Sequence, residues 1–146
     1  MKKYLTLLAC GLFASTMASA EAQNNGLPPE AAGKYVIVDK ANQPAQVLLE
    51  IKLNGKQWLA DGSKDGGRTW YPICRADEHC KLGTSSKQDI QRFLAHSSKV
   101  LKEAEVNCIH NQAFALCQAK NSEFANYAMI VLNTGNFEVI PLMQVK

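Results

Sequence analysis

The stretch AQVLLEIKLNGKQWLAD, Ala45–Asp61, has a pattern that predicts a β-hairpin. Apolar and polar residues alternate along its first arm, so Ile51 and its odd-numbered neighbours should face a core. The dipeptide Asn54-Gly55 is favoured at the two central positions of a type I′ turn. That turn places Ile51 opposite Trp58, and Trp58 is therefore predicted to be a core residue.

The next stretch, SKDGGRTW, closes a second predicted hairpin and resembles the Asp-box of sialidases. The matching positions are Ser63, Asp65, Gly67, Thr69 and Trp70. The resemblance implies a turn in which the aspartate accepts backbone N–H groups and the aromatic residue anchors the hairpin. It also implies a glycine in a conformation that other residues resist. The chain holds one copy and no recognisable arginine triad, so we expect a structural turn without catalytic residues.

Trp70 has a second interpretation. A simple six-residue loop would place its ring on the sheet face opposite Trp58, beside Glu50 and Lys52. A helix could cover that face, or a bulge could turn the ring inward. If the ring is exposed instead, Trp70 is a candidate binding residue of a surface adhesion module.

The loop CRADEHC, Cys74–Cys80, contains the main candidate binding residues. The polar or ionisable members are Arg75, Asp77, Glu78 and His79. A disulfide across the loop would remove much of its ordering entropy before a partner arrives, which suits a binding role. The alternative is a solvated connection between Ile73 and the helix cap. The loop loosely resembles the inhibitory loop of periplasmic inhibitors of vertebrate-type lysozyme, with Cys74, His79 and Cys80 corresponding. The resemblance implies a histidine presented to catalytic carboxylates.

The N-terminus is typical of a secretory signal peptide. Lys2 and Lys3 precede the apolar stretch Leu5–Met17, and Ala18–Ala20 forms a small-residue cleavage site. The alternative is a lipoprotein box at LLAC, Leu7–Cys10. We therefore expect a signal peptide at 1–20 cleaved after Ala20, a flexible lead-in at 21–33, and one globular domain at 34–146. The protein should be periplasmic or secreted.

Four cysteines follow the predicted signal peptide, and an even number in an exported domain predicts two disulfides. Three pairings are available, and we favour the local one, Cys74–Cys80 with Cys108–Cys117. The alternative is a zinc site, but the spacings do not match those of cysteine ligand pairs. We predict no metal and no cofactor.

The rest of the chain predicts one helix and two hairpins. An apolar stripe with a Ser86–Asp89 start signal predicts an amphipathic helix over about residues 86–105. VNCIHNQAFALCQAK and NYAMIVLNTGNFEVIPLMQV predict hairpins, and the second should turn at Thr134-Gly135 and so place Ile130 opposite Val139. His110 should be an exposed turn residue. The predicted fold class is α+β, with antiparallel hairpins of about eight strands packed with this helix and stapled by two disulfides.

The charge balance and the lack of catalytic motifs narrow the classes of function that we expect. Without Lys2 and Lys3, 14 of the 16 basic residues remain against 13 acidic ones, which argues against a nucleic-acid partner. No segment after the signal peptide is long enough to span a membrane, and no catalytic motif is present. We expect an exported, non-enzymatic binding protein with a protein or glycan partner, such as an inhibitor of lysozyme. The alternatives are a ribonuclease- or glycosidase-like hydrolase using His79 or His110 with a carboxylate, and an adhesion module using Trp70.

Overall fold

A computed structural model of the chain describes residues 26–39, 41, 43–74, 80–95, 97, 99–122 and 125–146. The strands within these residues are β1 (Gly33–Val38), β2 (Pro44–Asn54), β3 (Gln57–Ser63), β4 (Tyr71–Cys74), β5 (Gly83–Thr84), β6 (Glu105–His110), β7 (Phe114–Lys120), β8 (Ala125–Val131) and β9 (Glu138–Val145). The helices are α1 (Lys87–Phe93), α2 (Lys99–Glu103) and a short 3-10 helix at Pro29–Ala31.

The strands form one antiparallel sheet in the order β4-β3-β2-β1-β9-β8-β7-β6-β5. The sheet curls into a half-barrel. A β-bridge between Trp58 in β3 and Leu82 just before β5 joins the two ends of the curl. Strands that are distant in the sheet order therefore face one another across the interior.

The inner face of the curl holds the main core. Tyr35, Ile51 and Trp58 from the N-terminal strands pack in one cluster with Ile109 and Leu116 from the C-terminal strands. Tyr35 is 2 % exposed, and its hydroxyl donates a hydrogen bond to the carbonyl oxygen of Ala31. The hydroxyl thus has a partner within the core, which removes much of the cost of burying it.

The outer face of β6, β7 and β8 holds a second, smaller core. Ile90 and Phe93 of α1 pack there against Cys108, Cys117 and Ile130. Helix α1 thereby packs on part of the outer sheet face, over β6, β7 and β8. The packing of Ile90 and Phe93 on the sheet fixes the orientation of α1 and therefore where its other side chains lie.

The predicted α+β fold class is wrong. Among the described residues the structure is mostly β, with 54 % strand and 13 % helix, and a single sheet of nine strands replaces the separate hairpins. The reason is that β1 pairs with β9, through Lys34↔Val145 and Ile37↔Leu142, and so joins the two halves of the chain. This contact spans more than a hundred residues, and no local pattern specifies it.

The predicted helix over residues 86–105 is also interrupted. Its start is confirmed, because Ser86 is the N-cap and forms a capping box with Asp89. The helix then ends at Phe93, and Ser97 donates both its backbone N–H and its hydroxyl to the carbonyl oxygen of Leu94. Serine side chains that bond to the backbone in this way compete with helix continuation. The chain resumes a helical path only at Lys99.

The first hairpin has the predicted faces but a different register. Leu53 pairs with Trp58 and Ile51 with Ala60, so the predicted Ile51–Trp58 pair is wrong. Gly55, with φ of 63°, occupies the first rather than the second position of the two-residue loop. The shift preserves the alternation of faces, and the prediction that Trp58 is a core residue is confirmed, at 8 % exposure. In the last hairpin the predicted pair Ile130↔Val139 is confirmed.

Two disulfides join Cys74 to Cys80 and Cys108 to Cys117, the local pairing expected from the sequence. Cys108 and Cys117 are direct partners across β6 and β7. Part of the expected lead-in also contributes to the core, since Leu27 and Ala31 are buried. No helix in the described part of the chain is long and apolar enough to cross a membrane.

Candidate functional site

The turn between β3 and β4 is held by its own side chains. The Ser63 hydroxyl accepts a hydrogen bond from the Gly67 N–H at 2.9 Å and donates one to Asp65 Oδ1 at 2.8 Å. The same Oδ1 atom accepts from the N–H groups of Arg68, at 3.0 Å, and Thr69, at 2.9 Å. The turn therefore accounts for Ser63 and Asp65 without any ligand, and the family resemblance of the octet stays a prediction.

Glycine is needed in this turn at residue 67. Gly67 has φ of 89°, and a Cβ atom there would lie 3.1 Å from Cδ1 of Leu48. The backbone conformation and the close approach to Leu48 each disfavour a larger residue. This position matches the role that the resemblance implies for glycine.

Trp70 contacts the outer face of the sheet. Its indole Nε1–H donates to the Gly67 carbonyl oxygen at 3.0 Å, and Lys34 Nζ lies 5.5 Å from the centre of its ring. The side chain is half-buried, on the face opposite Trp58. Its polar atom and one ring face are thus occupied by the protein itself, which favours an anchoring role over a free binding platform.

Hydrogen bonds to Asp65 lower its pKa to about 2, and the bond from the Thr69 N–H is the largest cause, followed by that from the Ser63 hydroxyl. A carboxyl group with a lowered pKa stabilises the fold above its ordinary pKa, near 3.8, and loses that contribution as the pH falls towards 2. We expect wild-type stability to fall more steeply between about pH 4 and pH 2 than that of Asp65→Asn. Denaturant unfolding followed by tryptophan fluorescence measures both slopes.

Glu138→Gln is the control for this pH experiment, because it neutralises an exposed carboxylate on β9 that forms no hydrogen bond with a described residue. It should leave the wild-type slope nearly unchanged. Equal slopes for wild type and Asp65→Asn would show that the turn does not depend on the aspartate charge.

The residues enclosed by the Cys74–Cys80 loop lie outside the described part of the chain. They are the four candidate binding residues Arg75, Asp77, Glu78 and His79, together with Ala76. The structure does describe the base of the loop. Cys74 is buried at the end of β4, and Cys80 is half-buried two residues before Leu82.

Asn111 ties the base of this loop to the turn between β6 and β7. Its side-chain Nδ2–H donates to the Cys80 carbonyl oxygen at 3.4 Å. Its Oδ1 atom accepts from the N–H groups of Ala113, at 2.8 Å, and Phe114, at 3.0 Å. One side chain thus stabilises its own turn and holds the loop base against it.

A polar pocket of about 530 Å³ opens beside Asn111. Its described lining residues are Lys81, Arg92, His110, Asn111, Gln112, Leu132 and Phe137. Two of these side chains carry a permanent positive charge, one is a histidine, and no carboxylate is among them. The pocket is therefore suited to an acidic group, and it begins one residue beyond Cys80.

The His110 ring is held on two sides. Its Nδ1 atom lies 2.8 Å from the Ser85 hydroxyl, and the ring packs edge-on against Phe93 with centroids 5.3 Å apart. Ser85 is 1 % exposed and so is too enclosed to act as a nucleophile. Its hydroxyl instead orients the imidazole, whose Nε2 atom forms no hydrogen bond with a described residue.

Arg92 reaches the pocket from α1. It contacts Asp89 Oδ1 at 3.5 Å, with 61 % of the Arg92 side chain and 31 % of the Asp89 side chain exposed, and at this distance the solvated ion pair is weak. The Asp89 carboxylate is already engaged with the N-cap, and its hydrogen bonds from Ser86 are the main cause of its lowered pKa. Arg92 contacts the other carboxylate oxygen, Oδ1, through one nitrogen, and the remaining N–H donors of its guanidinium can bind an external anion.

Sequence reasoning missed most of this pocket. It treated His110 as an exposed turn residue, whereas the side chain is half-buried and lines the pocket. No sequence pattern marks Lys81 or Arg92 as a site residue, because no local feature predicts that residue 81 lies beside the end of α1. The antiparallel pair Gly83↔His110 does so by placing β5 beside β6.

No group of three or more histidine, cysteine or acidic side chains in the described ranges is arranged to hold a metal ion. Comparison of the chain with protein-family models, curated proteins and solved structures finds no match. The geometry of the pocket and of the adjoining loop base is therefore the basis for assigning a function.

Proposed function

We propose that the protein is an exported, non-enzymatic binding protein that holds acidic side chains of a partner, and that the partner is a hydrolase such as lysozyme. The observation that carries the proposal is the cationic pocket at the base of the Cys74–Cys80 loop. Lys81, Arg92 and His110 line it with no described carboxylate among them. Such a pocket attracts an acidic group and repels a basic one.

Glycoside hydrolases suit this pocket because they carry paired carboxylates. The two acidic groups flank the scissile bond in an open cleft. Lys81 and Arg92 line one pocket and offer cations to such a pair. The neighbouring loop contains Arg75 and His79 together with the acidic Asp77 and Glu78, so the positive charge of the proposed site rests on the pocket residues. The loop's resemblance to inhibitors of vertebrate-type lysozyme supports the same partner class.

The pocket is organised before any partner binds. The disulfide and Asn111 fix the loop base, while Ser85 and Phe93 fix the His110 ring. Binding groups that are already ordered lose less entropy on association. This arrangement favours recognition of a rigid protein surface.

The proposed location is the periplasm or the secreted space. Two disulfides are compatible with an oxidising compartment outside the cytoplasm, where such bonds persist. Residues 1–20 add the sequence pattern of a signal peptide. Lysozymes that attack the bacterial cell wall act in the same compartments.

The test uses vertebrate-type lysozyme as the probe. We expect the exported protein to bind it in isothermal titration calorimetry and to inhibit its lysis of bacterial cell walls. The double variant Lys81→Ala/Arg92→Ala should bind at least tenfold more weakly, or about 1.4 kcal/mol. The matched control, Lys56→Ala/Lys120→Ala, removes two exposed lysines that do not line the pocket and should bind like wild type.

A second arm changes the partner instead of the pocket. A lysozyme with both catalytic carboxylates replaced by amides should also lose affinity for the wild-type protein. If this lysozyme and the pocket variant both bind with full affinity, the pocket is not the recognition site. Failure of unmodified lysozyme to bind would refute lysozyme as the partner.

A small hydrolase remains the second candidate, because His110 is oriented by Ser85 and its Nε2 atom has no hydrogen-bond partner among the described residues. General acid–base catalysis needs a second titratable group within reach of the same substrate atom. The assay is turnover of single-stranded RNA and of cell-wall glycan by wild type and His110→Asn. Turnover that His110→Asn abolishes would establish the enzyme and overturn the binding proposal.

A further inference from the structure

Helix α1 borders a second cavity on the flank away from Arg92. This groove has a volume of about 690 Å³ and lies between α1, α2 and the first half of β6. Its apolar lining residues include Ile90, Leu94, Ala95, Ala104 and Val106. Lys87 and Lys102 also line the groove, one from each helix.

The groove continues beneath the helices. Leu94 and Val106 also line a third cavity of about 320 Å³, which reaches the outer face of β7, β8 and β9. Most of its remaining lining is apolar and includes Leu101, Ile130, Val139 and Pro141. Leu94 and Val106 line both cavities, which therefore adjoin one another; we call the two together the channel, and its lysines lie in the first groove.

The break in the helix explains why this channel is open. A continuous helix over residues 86–105 would lay its apolar stripe along the sheet. Instead α1 ends at Phe93, and the chain turns where Ser97 binds the Leu94 carbonyl oxygen. Leu94 and Val106 are left only partly buried, and Val139 is 38 % exposed.

The lysines of the channel are available for an anion. Neither Lys87 nor Lys102 forms an ion pair or hydrogen bond with a described residue. The acidic residue in the described lining of the groove is Glu105, whose carboxylate accepts a hydrogen bond from Asn107 at 3.3 Å. One end of the apolar channel is therefore positively charged overall.

We infer that the channel binds a long-chain fatty carboxylate. The carboxylate lies between Lys87 and Lys102, and the alkyl chain runs over Leu94 and Val106 into the third cavity. The cavity volumes fall in the range of small-molecule sites, roughly 300–1,000 Å³. Each buried methylene group should raise the affinity about fourfold. The inference does not depend on the proposed function, because the channel and the cationic pocket share no described lining residue.

The test is calorimetric titration of the full protein with hexadecanoate, kept below the concentration at which it aggregates. We expect one site, at least tenfold weaker binding of decanoate, and at least tenfold weaker binding of hexadecyltrimethylammonium. Leu94→Glu places a charge in the channel and should abolish binding. Lys87→Glu/Lys102→Glu reverses two exposed charges without touching the core, and should weaken hexadecanoate binding at least tenfold while circular dichroism stays unchanged.

The control is Lys56→Glu/Lys146→Glu, which reverses two exposed lysines outside the channel and should bind hexadecanoate like wild type. The inference is overturned if hexadecanoate does not bind, or if decanoate binds as tightly. It is also overturned if the variants at residues 87 and 102 bind as tightly as the control. Lysozyme binding should be unaffected by hexadecanoate, so failure here leaves the cationic pocket untouched.

Discussion

Phe93→Ala is expected to lower the free energy of unfolding by about 3–5 kcal/mol, the range for truncating a buried aromatic residue. Phe93 is 2 % exposed and belongs to the core between α1 and the outer sheet face. Its ring contacts Phe137, with centroids 6.1 Å apart, as well as the His110 ring. Truncation to alanine leaves a cavity between α1 and the outer face of the sheet, which the strands cannot easily move to fill.

Denaturant unfolding of wild type, Phe93→Ala and Gln91→Ala measures this loss. Gln91 is exposed on the same helix, so its truncation should change the unfolding free energy by no more than about 0.5 kcal/mol. A loss for Phe93→Ala as small as that of the control would mean that α1 does not cover the outer sheet face. Phe93→Leu should recover part of the stability, because it refills some of the cavity.

Local features of the fold could be predicted from the sequence. The N-cap at Ser86 is confirmed, and so is the pair Ile130↔Val139 around the Thr134-Gly135 turn. The cross-strand position of Cys108 and Cys117 follows from a short turn between two alternating strands. Each of these depends on residues fewer than about fifteen positions apart, where turn chemistry and side-chain alternation decide the outcome.

The prediction of the fold class was wrong because the fold class depends on pairing between strands that lie far apart in the sequence. The strands β1 and β9 could each have formed a sheet edge. Their pairing puts Tyr35 beside Gln144 and closes one continuous sheet. The sequence shows that each strand has an apolar side, but it does not show which two apolar sides meet. The early end of α1 depends on a serine hydrogen bond that outweighs the apolar stripe.

The candidate site could be predicted only in part. The Cys74–Cys80 disulfide was predicted, but its enclosed residues lie outside the described ranges. The cationic pocket combines residues from the β5 lead-in, α1 and the β6–β7 turn, and depends on the pair Gly83↔His110. Histidine at a turn is usually solvated, so the Ser85 contact could not be foreseen from residue type alone.

The second large effect is expected from Cys108→Ala/Cys117→Ala, which should destabilise the protein by about 3–5 kcal/mol. Loss of a cross-link over a loop this short costs roughly 3 kcal/mol in the chain-entropy model. Both cysteines are buried, at 0 % and 5 % exposure, so truncation of their side chains adds to that cost. Denaturant unfolding measures the loss, and lysozyme affinity in the folded fraction should stay near that of wild type.

Cys74→Ala/Cys80→Ala is the matched comparison. It should lose less stability than Cys108→Ala/Cys117→Ala, but more affinity for lysozyme. Its bond joins a four-residue strand at the sheet edge to a half-buried Cys80, so its removal should cost less stability, about 2 kcal/mol. The loop must then be ordered on binding, and lysozyme affinity should fall at least tenfold. If both double variants lose stability equally and keep equal affinity, the two disulfides share one structural role. The loop would then be a connector, and the cationic pocket would have to act without it.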